Sequence, residues 1–198
     1  MKFLLLSTIV CASLVVSQQG PGVCLPSRLQ CMFTDLLTSE YGIIALDFVD
    51  NLVAQVTYPT NGRTVFNLTE RMAYEINQTT GQCARHPMAS YQVYGQCLPA
   101  SARLYTPNNS YVGLGINSLD MQAWQVDLPA GALATVAFNV GQPTVPIASQ
   151  LTGLGDGTGK EINFFFNCGA SADPVLFYLP STCNAPDVLK WTKIKNSD

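Results

Sequence analysis

The stretch FFFNCGASADPVLFYLPSTC, residues 164–183, decides how the chain is expected to fold. Residues 162–167 alternate as a β-strand requires, with Ile162, Phe164 and Phe166 on one side. Pro174 then ends any sheet pairing, because proline lacks an amide hydrogen. The apolar residues 175–178 and a cysteine at position 183 follow. We therefore predict a strand covered by a short apolar lid, which a disulfide holds in place.

Upstream of this stretch, the same alternation predicts a β-rich domain. Turn-forming residues such as the Pro-Thr-Asn-Gly of positions 59–62 separate the alternating segments. About nine or ten strands are expected, which favours a single mainly β domain built as a sandwich or an open barrel. The clearest segments are residues 43–49, 54–58, 64–69, 72–76, 119–128 and 132–140.

Other parts of the chain lack this alternation. Residues 18–34 are predicted to form an N-terminal loop, and residues 86–107 a second loop with at most one short strand. The only helix candidate spans residues 32–39.

The aromatic and small residues of the strands allow two interpretations. Charged residues make up only 12% of the chain and hydrophobic residues 47%, so either the core is large or a cavity is lined. The apolar side switches within residues 119–128, as it would at a bulge or in a strand that faces the core at one end and a cavity at the other. If there is a pocket, its predicted lining is Trp124, Ala134, Phe138, Phe164, Phe166, Met121 and Tyr74.

The N-terminus predicts entry into the secretory pathway. Residues 1–17 contain Lys2, an uncharged apolar run and small residues near Ser17, the pattern of a signal peptide. A membrane anchor is the alternative, but it needs roughly 20 apolar residues, and the polar residues 18–21 follow a shorter run. We expect one domain over residues 18–198 without a transmembrane span, ending in a flexible polar tail at residues 184–198.

Cysteines and glycosylation sequons fit that compartment. Removal of the signal peptide leaves six cysteines, an even number that predicts disulfides. The three sequons begin at Asn67, Asn77 and Asn108, and Asn67 is expected on the solvent side of its strand. We therefore expect a secreted, extracellular glycoprotein. Lysosomes are a second destination that the secretory pathway allows. The cysteines are Cys24, Cys31, Cys83, Cys97, Cys168 and Cys183.

Several functions are disfavoured by the residues present. The net charge of −3 argues against a nucleic-acid partner, which requires a basic surface. His86 is the only histidine, and no GxSxG motif accompanies it, so neither a multi-histidine metal site nor a catalytic triad is indicated. The glycine-rich residues 153–160 fail the phosphate-loop pattern at Leu154 and Glu161. We expect no enzymatic activity, no catalytic residue and no certain cofactor.

Three motifs in order resemble ependymin and the ependymin-related proteins. They are YEINQTTGQC at residues 74–83, Val112-Gly113 leading to MQAW at residues 121–124, and DPVLF at residues 173–177 leading to PSTC at residues 180–183. The resemblance covers roughly residues 24–184.

The resemblance implies a secreted glycoprotein whose two stacked antiparallel sheets enclose a deep hydrophobic pocket, similar to bacterial lipoprotein carriers. It also implies lipid binding, calcium-dependent behaviour with unknown ligands, a role in extracellular matrix, and a homodimer. By motif, Cys83 pairs with Cys183. Three pairings of the other four cysteines stay open, because the usual partner of Cys24 has no counterpart near Gly141. The family's aspartate in the first motif is Asn77 here, and its tryptophan soon after the first cysteine is absent.

Two functional hypotheses follow from different classes. The first is a carrier that binds an apolar ligand, such as a lipid or fatty acid, between its sheets. The second is a structural or adhesive matrix protein in which the aromatic residues form a solid core and no ligand enters.

Overall fold

The computed structural model describes residues 22–105, 110–112, 118–141, 144–154 and 159–183. The predicted signal peptide, the tail at residues 184–198 and the sequon at Asn108 lie outside the described residues. The described part of the chain is mainly β, as predicted. Its strands are β1 (Arg28–Asp35), β2 (Tyr41–Asp47), β3 (Leu52–Tyr58), β4 (Gly62–Asn67), β5 (Met72–Asn77), β6 (Cys83–Pro87), β7 (Arg103–Leu104), β8 (Ser110–Val112), β9 (Leu119–Asp127), β10 (Leu133–Asn139), β11 (Pro146–Leu154) and β12 (Gly159–Gly169).

All twelve strands belong to one antiparallel sheet. Their order is β6-β5-β4-β3-β2-β1-β12-β11-β10-β9-β7, and β8 also pairs with β9. Hydrogen bonds run continuously from one half to the other, because β1 pairs with β12, in place of the two separate sheets that the resemblance implied. The sheet is not a closed barrel. Its outermost strands are β6 on one side and β7 and β8 on the other.

The central strand β1 corrects two expectations. The sequence predicted a loop at residues 18–34 and a helix candidate at residues 32–39, but Arg28–Asp35 is a strand with neighbours on both sides. Leu29, Cys31 and Phe33 are buried on one face of it. Arg28, Gln30 and Thr34 alternate with these buried residues, but apolar Met32, 38% exposed on the other face, interrupts the pattern.

The two faces of the sheet are defined by the residue pairing. The inner face carries Leu29, Val53 and Phe66, and the outer face carries Ala54, Val65 and Tyr74. In the half formed by β1–β6 both faces are covered, and Val65 and Phe66, adjacent in β4, are both buried. Because both faces are covered, residues on either side of a strand in this half are buried, and the alternation of polar and apolar residues does not indicate which of them face solvent.

The segment between β6 and β7, residues 88–102, crosses the inner face. Met88 and Tyr94 pack against the cluster that contains Leu29, Val53 and Phe66. Ten strand spacings separate β6 from β7, which is about 48 Å in a flat sheet. The segment could span about 55 Å only if fully extended, yet hydrogen bonds close turns at residues 89–92 and 99–102. The sheet must therefore curve toward its inner face, so that its two edges approach each other.

The predicted lid covers the outer face. Residues Pro174–Phe177 and Ser181–Cys183 form two 3-10 turns, and Phe177, Leu179 and Cys183 are buried in one cluster with Ala54, Val65 and Tyr74. Arg63 on β4 donates to the carbonyl oxygens of Val175 (3.1 Å) and Tyr178 (2.8 Å), which holds the end of the first turn.

Three disulfides connect the covering segments to the sheet. Cys83 bonds to Cys183, the pairing implied by the resemblance, and fixes the lid to β6. Cys31–Cys168 joins β1 to β12, and Cys24–Cys97 joins the N-terminal segment to the crossing segment. Disulfides in this number are compatible with a secreted, extracellular protein. In the described part of the chain, no helix has the length and apolar character needed to cross a bilayer.

The two described sequon asparagines differ in accessibility. Asn67 was expected on the solvent side of β4, but it is only 6% exposed, and its Oδ1 accepts the amide hydrogen of Glu70. The expected exposure is wrong because the outer face is covered at this strand. Asn77 is exposed, and its Oδ1 accepts the amide hydrogens of Thr79 and Thr80, which leaves its side-chain nitrogen free to face solvent.

Candidate ligand-binding face

The inner face of β9–β12 is the part of the sheet best suited to hold an apolar ligand. A direct row of paired residues crosses it, from Trp124 through Val136 and Ser149 to Asn163. In the next row toward the end of the strands, Val126 and Ala134 are buried while Leu151 is half-buried. Both rows are apolar on β9 and β10 and end in polar residues, Asn163 and Glu161, on β12.

Two polar atoms on this face are buried without a hydrogen-bond partner among the described residues. They are the indole Nε1 of Trp124 and the side-chain Oδ1 of Asn163. Asn163 is only 7% exposed, and its Nδ2 donates to Glu161 at 2.6 Å, so only its oxygen lacks a partner. Since leaving such a group unpaired costs about 1–3 kcal/mol, these atoms mark positions where a ligand or water is needed.

Tyr94, in the crossing segment, packs over the inner face at the β1–β6 half of the sheet. Its ring lies 5.3 Å from that of Phe66, centroid to centroid. Burial, and then the nearby carboxylate of Glu161, raise the pKa of Tyr94 above its usual value. The hydroxyl therefore stays neutral.

The predicted lining residues do not share a face. Trp124, Ala134 and Phe138 lie on the inner face, as the pairing of β9 with β10 shows. The other four lie on the outer face. Tyr74 is buried under the lid and Phe166 is 42% exposed. Phe164 and Met121 are partly buried on that outer side. A single pocket lined by all seven is therefore not what the sheet provides.

Sequence reasoning missed Asn163, Glu161 and Tyr94. The polar side of residues 162–167 suggested a solvent-facing surface, whereas the crossing segment and the curvature of the sheet cover it. One signal was available: Phe165 stands among those polar residues and packs in the inner-face cluster beside Leu29 and Phe66.

A separate groove of about 640 Å³ opens at the β4–β6 edge. Its lining is polar and apolar in similar measure, and it includes Arg63, Glu75, Asn77 and Thr182 but none of the seven predicted pocket residues. Thr182 donates to the carbonyl oxygen of Gly81 at 2.6 Å.

The described residues do not bring three or more His, Cys, Asp or Glu side chains together in a cluster that could hold a metal ion. The calcium site that the resemblance implies is thus without assigned ligands, and it stays a prediction.

His86, at the β6 edge of the inner face, is a partly exposed ion-pair partner. Nδ1 lies 3.1 Å from the carbonyl oxygen of Pro87 and Nε2 lies 2.9 Å from Glu75 Oε1. The Pro87 contact, followed by the Glu75 contact, raises the pKa of His86 above its usual value. Only the protonated ring can donate to both acceptors. The resulting stabilisation is complete below about pH 6.5, the usual unfolded value, and is lost as pH rises through the higher folded pKa.

We predict that Glu75→Gln lowers the pKa of His86 without returning it fully to the usual value, because the Pro87 contact persists. A proton NMR titration of the single imidazole measures this directly. Asp127→Asn, which neutralises a carboxylate at the opposite edge, serves as the control. An unchanged pKa in Glu75→Gln would show that the ion pair does not form in solution.

Comparison with known proteins gives no family. No protein-family model and no curated protein matches the chain. Among solved structures, an uncharacterized conserved protein from Thermus thermophilus is similar, with a TM-score of 0.47 and 11% identity over 75% of this chain and 82% of that chain. A similarity at this level carries no information about function.

Proposed function

We propose that the protein is a secreted carrier that binds an apolar ligand, such as a lipid, on the inner face of β9–β12. In this proposal the curved sheet brings its two halves to face each other as two layers, and the ligand lies between them. The observation that carries it is the pair of buried, unpartnered polar atoms, Trp124 Nε1 and Asn163 Oδ1, on the face that also carries Val126, Ala134 and Phe138. The two atoms are three strand spacings apart, so the polar end of an elongated ligand would satisfy one of them.

The energetics require a pocket and no catalytic group. Burial of an acyl chain contributes about 0.8 kcal/mol per methylene, so a chain of roughly ten methylenes gains about 8 kcal/mol before association costs. Micromolar affinity corresponds to about −8.2 kcal/mol. A hydrogen bond to Trp124 or Asn163 would then offset part of the association cost.

A structural or adhesive role in extracellular matrix is the second candidate. The observation that favours it is a group of exposed apolar side chains on the outer face, which includes Met32 (38% exposed), Tyr41 (51%) and Phe166 (42%). Lipid extraction followed by mass spectrometry of the natively purified protein separates the two candidates, since only a carrier retains a ligand.

The proposal predicts saturable binding of an uncharged apolar dye, such as Nile red, to the delipidated protein. The titration follows Trp124 emission in a Trp191→Phe background, because the chain contains two tryptophans. Ala134→Phe, which fills the inner face, should weaken binding by about tenfold or more through steric exclusion.

Ala148→Phe on the outer face is the matched control and should leave the affinity unchanged. Circular dichroism establishes that both variants are folded. If the folded, delipidated protein binds no dye, the carrier proposal fails and the structural role is favoured.

A further inference from the structure

The charged residues of the strands are distributed unequally between the two faces. In the described part of the chain, every lysine and arginine located on a strand belongs to the outer face by its pairing. Arg103 pairs with Gln125, and Arg85 pairs with Tyr74. The remaining ones are Arg28, Arg63 and Lys160. The inner-face strand positions of β9–β12 therefore provide no cation for a ligand.

Carboxylates, by contrast, flank the unpartnered Asn163 on the inner face. Asp35 on β1 is its direct neighbour across the strand pair. Glu161 precedes it by two residues and accepts its Nδ2 hydrogen bond. Both Asp35 oxygens are already occupied, by the amide of Leu37 at 2.8 Å and the hydroxyl of Thr38 at 2.9 Å. Asn163 Oδ1 is the neutral acceptor among these three side chains, and it has no partner among the described residues.

We infer that the ligand carries a head group that donates a hydrogen bond and bears no negative charge, such as an alcohol, and not a carboxylate. The inference rests on the proposed function and specifies its ligand class. A hydroxyl donates its proton to Asn163 Oδ1. A fatty-acid carboxylate has no proton to donate to Asn163, and it is repelled by Glu161 and Asp35 in a partly buried setting where solvent screens little.

The test compares 1-decanol with decanoate, which have the same chain length, as competitors of Nile red at neutral pH. Decanol is expected to bind about tenfold more tightly or better. Glu161→Gln removes the charge and keeps an acceptor for Asn163 Nδ2, so it should bring the affinity of decanoate close to that of decanol.

Two controls complete the design. Asp127→Asn neutralises an outer-face carboxylate that pairs with Arg103, and it should leave the ratio of the two affinities unchanged. Asn163→Leu should weaken decanol more than decanoate, while Nile red binding reports that the face is intact.

The failures of the two proposals are distinguishable. If Nile red, decanol and decanoate all fail to bind, the proposed function itself is wrong. If Nile red binds but decanoate binds as tightly as decanol, or if Glu161→Gln leaves their ratio unchanged, the carrier function stands and the head-group inference is overturned.

Discussion

Replacing Cys83 and Cys183 together by alanine is expected to lower the free energy of unfolding by about 4–5 kcal/mol. The bond closes a loop between residues separated by 100 positions, and its removal gives the unfolded chain more conformations. Cys183 is also buried, at 5% exposure, in the cluster beneath the lid. The loss should appear as a lower midpoint of urea unfolding, and as a fall of about 10–20 °C in Tm for a domain of this size.

The double variant of Cys24 and Cys97 is the matched control. Its residues are separated by 73 positions, so the entropic contribution is nearly equal. Cys97 is exposed, however, and no lid depends on it. We expect the Cys83/Cys183 variant to be the less stable of the two. Equal losses would mean that burial of Cys183 adds nothing, and peptide mapping that placed Cys83 with another cysteine would contradict the pairing itself.

Phe177→Ala is expected to cost about 3–5 kcal/mol of unfolding free energy, because it leaves a cavity between the lid and the sheet. Phe177 is 6% exposed in a 3-10 turn of only four residues. Such a short turn has little stability of its own. The lid is kept in place by this side chain, by Leu179 and by the two hydrogen bonds from Arg63.

Tyr178→Ala provides a closely matched comparison. Tyr178 is the next residue and also aromatic, but its side chain is 48% exposed and its contact with Arg63 is through the backbone carbonyl. Its replacement should change stability by only about 0.5 kcal/mol. Urea unfolding of the two variants measures the difference. Similar small losses in both would show that the lid is not packed on the outer face in solution.

The sequence predicted the strands whose alternation is bounded by turns, and it failed where a strand lacks such boundaries. The hairpins of β2–β5 and the apolar lid were predicted because turn residues and prolines mark their ends. β1 was missed because apolar Met32 on its other face interrupts the alternation, and because its partner β12 lies far along the chain.

The candidate site was only partly predictable. Trp124, Ala134 and Phe138 were identified from apolar alternation, and they share the inner face. Asn163 and Glu161 were not, since alternation assigns the polar side of a strand to solvent unless another segment covers it. Which side the crossing segment covers depends on the order of the strands in the sheet, and this order is not encoded in any local pattern.

The pairing of β1 with β12 also determines when the sheet can be completed during synthesis. β1 to β6 follow one another along the chain and pair with their neighbours, and so do β9 to β12, so each half can form early. The middle of the sheet cannot, because Cys31 and Cys168 are separated by 137 residues. Such non-local pairing slows folding.

Until β12 is synthesised, β1 is an open strand edge. The Phe164–Phe166 run then enters the compartment as an uncovered apolar strand of the kind that aggregates. Chaperone binding during biosynthesis should therefore be concentrated on these two strands.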